Sequence, residues 1–265
     1  MSSSVSNSNR VHLENVHIEF QENEKHHLKV TIDTPNLRFR SVEMRDLDNY
    51  TVLHADQDVM NKYGDGTTKP HDATEQRIAS WVKRWREKDP YSGLAIFEKE
   101  TGEFVGHGIL GHGDKAGESE AAILIMKKFW NKGYASEAMI TALSHYVPKL
   151  LKKGYLVDGK PLQIIRATAR PDNVASCRLL ERAGMVHERD EEKYGKIRKH
   201  FALFVEEKIK PKKSETVKKL SVVKKAKEVL AKEPDEKSGM KLRSGKMCYY
   251  RTDLHSVRYR SRARL

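Results

Sequence analysis

The densest run of residue types able to do chemistry lies between positions 118 and 138. An apolar stretch, Ala121–Met126, leads into Lys127-Lys-Phe-Trp-Asn-Lys-Gly-Tyr-Ala135 and then into a helical pattern. In a strand–loop–helix joint, backbone N–H groups of the loop and first helical turn converge on one spot, where the helix dipole favours an anion. Gly133 withholds a side chain where a bulky anion would meet the backbone, and Ala135 is small beside it. Lys127, Lys128 and Lys132 add positive charge. These types imply binding of a phosphate or pyrophosphate; a plain tight turn is the competing reading.

A second segment lies about 40 residues further on. It reads Pro171-Asp-Asn173-Val-Ala-Ser176-Cys-Arg178-Leu-Leu-Glu181-Arg-Ala-Gly184. Together with Phe129-Trp-Asn-Lys-Gly-Tyr-Ala-Ser-Glu-Ala138, it resembles the GNAT superfamily of N-acetyltransferases. The similarity is nearest to the branch that acetylates ribosomal-protein N-termini, whose segments read W-G-K-G-Y-A-x-E-A and P-x-N-x-x-S-x-R-x-x-E-K-x-G. It extends to Leu37-Arg-Phe-Arg40 and Gly102–Gly106 and covers roughly residues 35–206. Asn131 stands where that branch has its first loop glycine, and asparagine tolerates left-handed backbone better than most residues. Arg182 replaces the lysine of the second segment.

The resemblance implies acetyl-coenzyme A as co-substrate, held where two parallel strands splay apart, and direct attack of an amine on the thioester. The pyrophosphate would lie against the amides of about Lys128 to Ala135, including Asn131, Lys132, Gly133 and Tyr134. A backbone N–H near Ile125, Met126 or Lys127 would polarise the thioester carbonyl. Asn173 would contact the pantetheine arm, and Ser176 would meet the leaving thiolate, with Tyr134 an alternative donor. Glu120 is the expected base, through water, with Glu118 behind it. A covalent route finds no support: there is no G-x-S-x-G elbow, and Cys177 sits inside a helical pattern without an evident base. His107 and His112 look like a metal pair, but no carboxylate is suitably spaced around them, so no metal is expected.

The positioning elements follow from periodicity. Val16, Ile18 and Phe20, then Leu28, Val30 and Ile32, alternate with polar residues and suggest a hairpin within 11–34. Residues 37–42 read as a strand and 46–56 as a helix. Asp72-Ala-Thr-Glu75 resembles a capping box ahead of Ile78, Trp81, Val82 and Trp85 on one helical face, where core packing outweighs a role in the acceptor pocket. A hairpin turns at Gly102, a strand at 121–126 leads to a helix over 134–151, and a strand at 162–169 leads to a helix over 173–183. Residues 186–188 and 200–206 suggest a last pair of strands. The expected fold is a mixed, twisted α/β sheet of about seven strands with helices on both faces. The expected domain is 35–207, preceded by a disordered 1–10 and the accessory hairpin.

Charge divides the chain. The net charge is +13, and residues 208–265 carry 19 Lys+Arg against 6 Asp+Glu, which is also +13. The remaining residues are therefore neutral. The tail reads as partly helical over 215–232, where Val217, Leu220, Val223 and Leu230 form a stripe among lysines. Beyond it, arginines interleave with Tyr249, Tyr250 and Tyr259; the segment reads as a solvated disordered extension, or as one whose composition suits nucleic acid, the ribosome or an anionic surface. No apolar run approaches the ~18 residues that span a bilayer, and residues 1–10 show no secretory pattern. Two cysteines, Cys177 and Cys248, do not make a disulfide framework and fit a reducing compartment. A cytoplasmic location is expected, or a nuclear one through the tail. The acceptor amine, of a protein or a small molecule, is not legible.

Overall fold

The computed structural model describes residues 13–205. The expected disorder at 1–10 and the basic tail at 208–265, with its helix at 215–232, lie outside these residues. Alternating apolar and polar residues build β1 (His17–Glu22), β2 (Leu28–Asp33) and β3 (Leu37–Ser41). After these come α1 (Leu47–Ala55), the single turn α2 (Gln57–Met60), and α3 (His71–Arg86). Next are β4 (Gly93–Glu98), β5 (Phe104–His112) and β6 (Glu118–Ile125). One unbroken helix follows: α4 (Tyr134–Thr141), a π-helical turn (Ala142–Tyr146) and α5 (Val147–Lys153). The chain closes with a two-residue ribbon, β7 (Leu156–Val157) and β8 (Lys160–Pro161), then β9 (Ile164–Ala169), α6 (Val174–Arg182), β10 (Val186–Lys193) and β11 (Lys196–Phe204).

Nine strands form one sheet in the order β1-β2-β3-β4-β5-β6-β9-β11-β10. Every pairing is antiparallel except β6 with β9. The mixed α/β architecture is as expected, with nine strands in place of about seven. The count rises because β2 pairs directly with β3, so the hairpin expected to be an accessory is the edge of the main sheet.

Neighbouring residues of β5 identify the faces. His107 packs among Tyr50 of α1 and Trp81 of α3. Gly108 lies with Ala138 and Thr141 of α4. Successive strand residues face opposite ways, so α1 and α3 cover one face and α4 the other. α3 buries Thr74, Ile78, Trp81, Val82 and Trp85, a helical stripe. Trp81 and Trp85 are core residues, and Trp85 Nε1 donates to the Gly93 carbonyl at 2.9 Å. The capping box expected at Asp72 does not form; α3 starts two residues earlier, and its N-cap, Pro70, makes no side-chain cap. Pro148 explains the π turn, because it lacks an N–H and its ring crowds the carbonyl four residues back. No helix among the described residues is long and apolar enough to cross a membrane.

His112 ties three connections together. Its Nε2 meets Asp89 at 2.6 Å, after α3, and its Nδ1 meets Asp158 at 2.7 Å, in the β7–β8 turn. Both nitrogens face carboxylates, so the ring is stable as the doubly protonated cation. The bond to Asp89 raises its pKa against the opposing effect of burial. A raised folded-state pKa gives stability that is complete below the unfolded value of about 6.5 and is lost as pH climbs through the folded value. The wild-type Tm should therefore fall more than that of His112→Asn between pH 6 and pH 8.5; parallel curves would remove this role.

Candidate functional site

The parallel pair β6–β9 is joined over only three positions, Glu118 with Ile164, Ser119 with Ile165, and Glu120 with Arg166. Beyond Glu120 the two strands part, while β6 stays paired to β5 as far as Ile125. The result is a fork whose two prongs are Ala121–Ile125 and Ala167–Ala169. Each prong is followed by a helix start, α4 after β6 and α6 after β9. Met126 donates its N–H to the Val105 carbonyl of β5 at 2.9 Å. Strand amides alternate sides, so those of Ile125 and Ile123 point toward the opening. That places the Ile125 amide, rather than that of Met126, where a carbonyl in the fork would meet it.

A bulge shapes this prong. Ile96 pairs with Gly106 and Phe97 with Phe104, which leaves Val105 as the extra residue on β5. A Cβ on Gly106 would lie 2.0 Å from the Leu124 carbonyl oxygen and 3.0 Å from Ile125 Cα. Only glycine lets β5 approach the end of β6 that borders the fork.

The loop after β6 is pinned by Trp130, whose Nε1 donates to the Ile125 carbonyl at 2.8 Å. Asn131 is left-handed (φ 63°), as is Gly133 (φ 82°), the N-cap of α4. The Asn131 substitution therefore keeps the turn. Among the described residues, no carbonyl accepts from the amides of Asn131, Lys132, Gly133, Tyr134 or Ala135. Lys128 is the middle residue of a 3-10 turn over Lys127–Phe129, and nothing lies within 4 Å of the place a Gly133 Cβ would take. Five unspent donors at a helix start, with no side chain over the glycine, suit a diphosphate.

The three loop lysines do not converge there. Lys127 meets Asp58 at 2.5 Å, Lys128 meets Glu103 at 2.9 Å, and Lys132 meets Glu98 at 3.3 Å. These are exposed pairs of small energetic weight. Tyr134 gives its hydroxyl to Glu98 at 2.5 Å, which pushes its pKa up to about 12. It is committed to the edge of the loop, so the alternative thiolate donor of the sequence reading is displaced.

Glu137 holds α4 in place. The carboxylate is buried and accepts from Thr34 Oγ1 at 2.6 Å, Asn36 N–H at 2.9 Å and Asn36 Nδ2 at 2.8 Å. The glutamate of the first sequence segment thus anchors the helix to the β2–β3 turn. Glu137→Ala strands these donors at a cost of about 3 kcal/mol. It should lower Tm by roughly 6–12 °C and weaken cofactor binding in parallel. An unchanged Tm would contradict the anchoring role.

On the second prong, Asn173 caps α6, its side chain accepting from the Ser176 N–H at 3.3 Å. Among the described residues the Ser176 hydroxyl makes no hydrogen bond, so it is available to a ligand. Cys177 is buried, its thiol against the Arg170 carbonyl at 3.6 Å.

Glu120 and Glu118 separate in role. Glu120 stands at the point of the fork, half-exposed, with Lys193 Nζ 3.0 Å from its Oε1. Glu118 is buried two residues earlier, where the strands are still joined, and Arg166 grips both its oxygens at 3.2 and 3.3 Å. Glu118 is a structural partner of Arg166 and not a reserve base. His107 and His112 occupy opposite faces of β5, so they do not form a pair.

Local sequence carries no signal for the residues that wall the Glu120 side. The loop 61–66 is strapped across the fork by Arg170 to the Asn61 carbonyl (3.1 Å) and Arg198 to the Gly64 carbonyl (3.1 Å). In that loop, Tyr63 has its hydroxyl pushed up by burial, within electrical reach of Arg77, Glu120, Tyr194 and Arg198. Its ring lies 6.1 Å from that of His107. Beneath it, Tyr50 Oη, His54 Nε2 and both nitrogens of His107 are buried with no partner among the described residues. Burial lowers the pKa of His54 to about 4 and pushes His107 well down, so both rings are neutral.

The comparisons fall where this geometry points. The Acetyltransferase (GNAT) domain profile matches residues 36–186, more than half of the sequence. The chain belongs to the GNAT acetyltransferase family, and it is an enzyme fold of that class. A GNAT-family acetyltransferase from Bacillus anthracis superposes with TM-score 0.54 at 22% identity, covering 66% of this chain and 98% of its own. Ribosomal-protein-S5-alanine acetyltransferase from Vibrio fischeri gives 0.54 at 12% identity, over 68% and 99%. Spermidine N-acetyltransferase from Vibrio cholerae, in complex with CoA and spermine, gives 0.50 at 18% identity, over 63% and 95%. At these identities the likeness is one of fold. No curated protein sequence matches.

Proposed function

We propose that the protein transfers an acetyl group from acetyl-coenzyme A to a primary amine by direct attack in a ternary complex. The acceptor is a protein N-terminus or a small amine. One observation carries the reading: the β6–β9 pair opens after Glu120 and ends at five unspent amides. The residues fit the cofactor, with Asn131 to Ala135 for its diphosphate and Asn173 beside its arm.

Acetyl-coenzyme A supplies the acetyl carbon as a thioester. Ile125 N–H, aimed into the fork, stabilises negative charge developing on the carbonyl oxygen. Amines enter on the face that carries Glu120, and only their unprotonated form attacks. Glu120 takes the amine proton through water while the new C–N bond forms and the C–S bond breaks. Ser176 donates to the departing sulfur.

Thiol release with a panel of amines and peptides tests this. Glu120→Gln should lower kcat about 100-fold with acetyl-coenzyme A affinity retained. Cofactor binding without turnover on any amine would instead make the fold a binding module. The nucleic-acid, ribosome or anionic-surface role expected of 208–265 falls outside the described residues.

A further inference from the structure

Arginine is almost never buried without an anion beside it, because desolvating a cation is costly unless an opposite charge repays it. Arg198 breaks that pattern. It is 4% exposed, yet its partners are neutral oxygens only: Thr168 Oγ1 at 2.9 Å, the Thr168 carbonyl at 3.3 Å and the Gly64 carbonyl at 3.1 Å. No carboxylate lies within 4.0 Å of it among the described residues, although 22 ion pairs form elsewhere, so carboxylates are not scarce. These three bonds leave two guanidinium N–H groups uncommitted.

Its place in the sheet is informative. Lys199 pairs with Ala169 and His200 with Thr168, so Arg198 stands level with the open end of the fork. Side-chain alternation puts Arg198, Thr168, Arg166 and Glu120 on one face. That is the face on which the amine must arrive. The surroundings are also cationic. Lys193 reaches Glu120 from the tip of the β10–β11 hairpin, Lys196 follows in the same tip, and Lys62 spends its charge on the Asp172 carbonyl at 3.0 Å. The cover is light: Tyr194, at the tip, is 48% exposed, and its ring lies 5.7 Å from the Arg198 guanidinium.

We propose that Arg198 is the anion-recognising residue of the acceptor site, and that the preferred acceptor is a peptide α-amine followed closely by carboxylates. The amine lies at Glu120 and an Asp or Glu side chain, in the second or third position, pairs with Arg198. A polyamine, which brings only positive charge, is disfavoured by the same wall. The inference rests on the acetyl-transfer reading for the placement of the amine.

The test uses the full chain and peptides that differ only in positions 2 and 3: Ala-Asp-Glu, Ala-Asn-Gln and Ala-Lys-Lys, each on a common neutral stem, with spermidine alongside. The acidic peptide should exceed the neutral one at least 10-fold in kcat/KM, chiefly through KM, and the basic peptide and spermidine should be poorer still. In Arg198→Gln the acidic-to-neutral ratio should fall to about 1–2, while Arg198→Lys should keep most of it. Because Arg198→Gln also loosens loop 61–66, Lys196→Gln, whose side chain is exposed, gives a second reading: a smaller fall in the same ratio with Tm unchanged. Equal or better use of the neutral peptide, the basic peptide or spermidine would overturn the proposal.

A binding arm separates the two levels. The N-acetylated acidic peptide, which cannot react, should bind the CoA-loaded protein at least 10-fold more tightly than its neutral counterpart, and Arg198→Gln should abolish the difference. Binding of this kind without turnover of any amine would end the acetyl-transfer reading and leave the anion site standing. Turnover without acidic preference would do the reverse.

Discussion

Gly133→Glu should abolish acetyl-coenzyme A binding, an affinity loss of at least about 100-fold, or about 2.7 kcal/mol, with the fold retained. Gly133 is left-handed at φ 82° and caps α4, and nothing lies within 4 Å of the position a side chain would take. The Cβ of a glutamate there meets no protein atom within 4 Å; its main cost to the fold is the left-handed backbone, roughly 1–2 kcal/mol. Its carboxylate would stand among the free amides of Asn131 to Ala135 and compete with a diphosphate for them. Gly133→Ala separates strain from charge, and should lose far less affinity for a similar fall in Tm. Calorimetric titration with acetyl-coenzyme A, beside a melting curve, measures both. Near wild-type affinity in Gly133→Glu would refute the assignment of the loop.

The second large effect is on stability. Gly106→Ala should cost about 3 kcal/mol or more, a Tm decrease of roughly 6–12 °C for a domain of this size. The added methyl would lie 2.0 Å from the Leu124 carbonyl oxygen, a backbone atom unable to step aside without moving β6. Gly102→Ala is the control: that glycine is also left-handed (φ 72°), but no atom lies within 4 Å of its new methyl. It should cost only the strain, about 1 kcal/mol. Equal melting temperatures for the two variants would show that β5 and β6 are not held at this spacing. Any Gly106→Ala protein that folds should also bind acetyl-coenzyme A more weakly, because the displaced segment is the fork prong.

The geometry of the proposed cofactor side was legible in the sequence because it is local. A strand, a glycine, a small residue and a helix start occupy 15 consecutive positions, from Ala121 to Ala135, and local backbone geometry does the rest. Of the acceptor side only Glu120 was legible, because the rest is assembled around it from distant segments. Tyr63 comes from a loop after α2, Glu120 from β6, and Lys193 and Arg198 from the last hairpin. None has a neighbour in sequence that reveals its partner in space.

The strand pattern failed in a similar way. β10 runs from Val186 to Lys193 with almost every residue exposed, so no apolar alternation marks it, and only its first three residues were expected. Backbone pairing with β11, not burial, makes it a strand. Glu137 is a further lesson. It belongs to a segment that resembles a binding motif, yet its three bonds are to Thr34 and Asn36, within the protein. In the proposed function, its contribution is to hold the helix whose first turn would face the diphosphate.

The central claim is that main-chain N–H groups of one short turn grip a diphosphate. Backbone amide resonances of the labelled protein, followed during titration with CoA, test it most directly. The signals of Asn131, Lys132, Gly133, Tyr134 and Ala135 should shift together, with one shared affinity, and become protected from exchange with solvent. CoA binding that leaves those five resonances in place, and moves amides elsewhere, would contradict it.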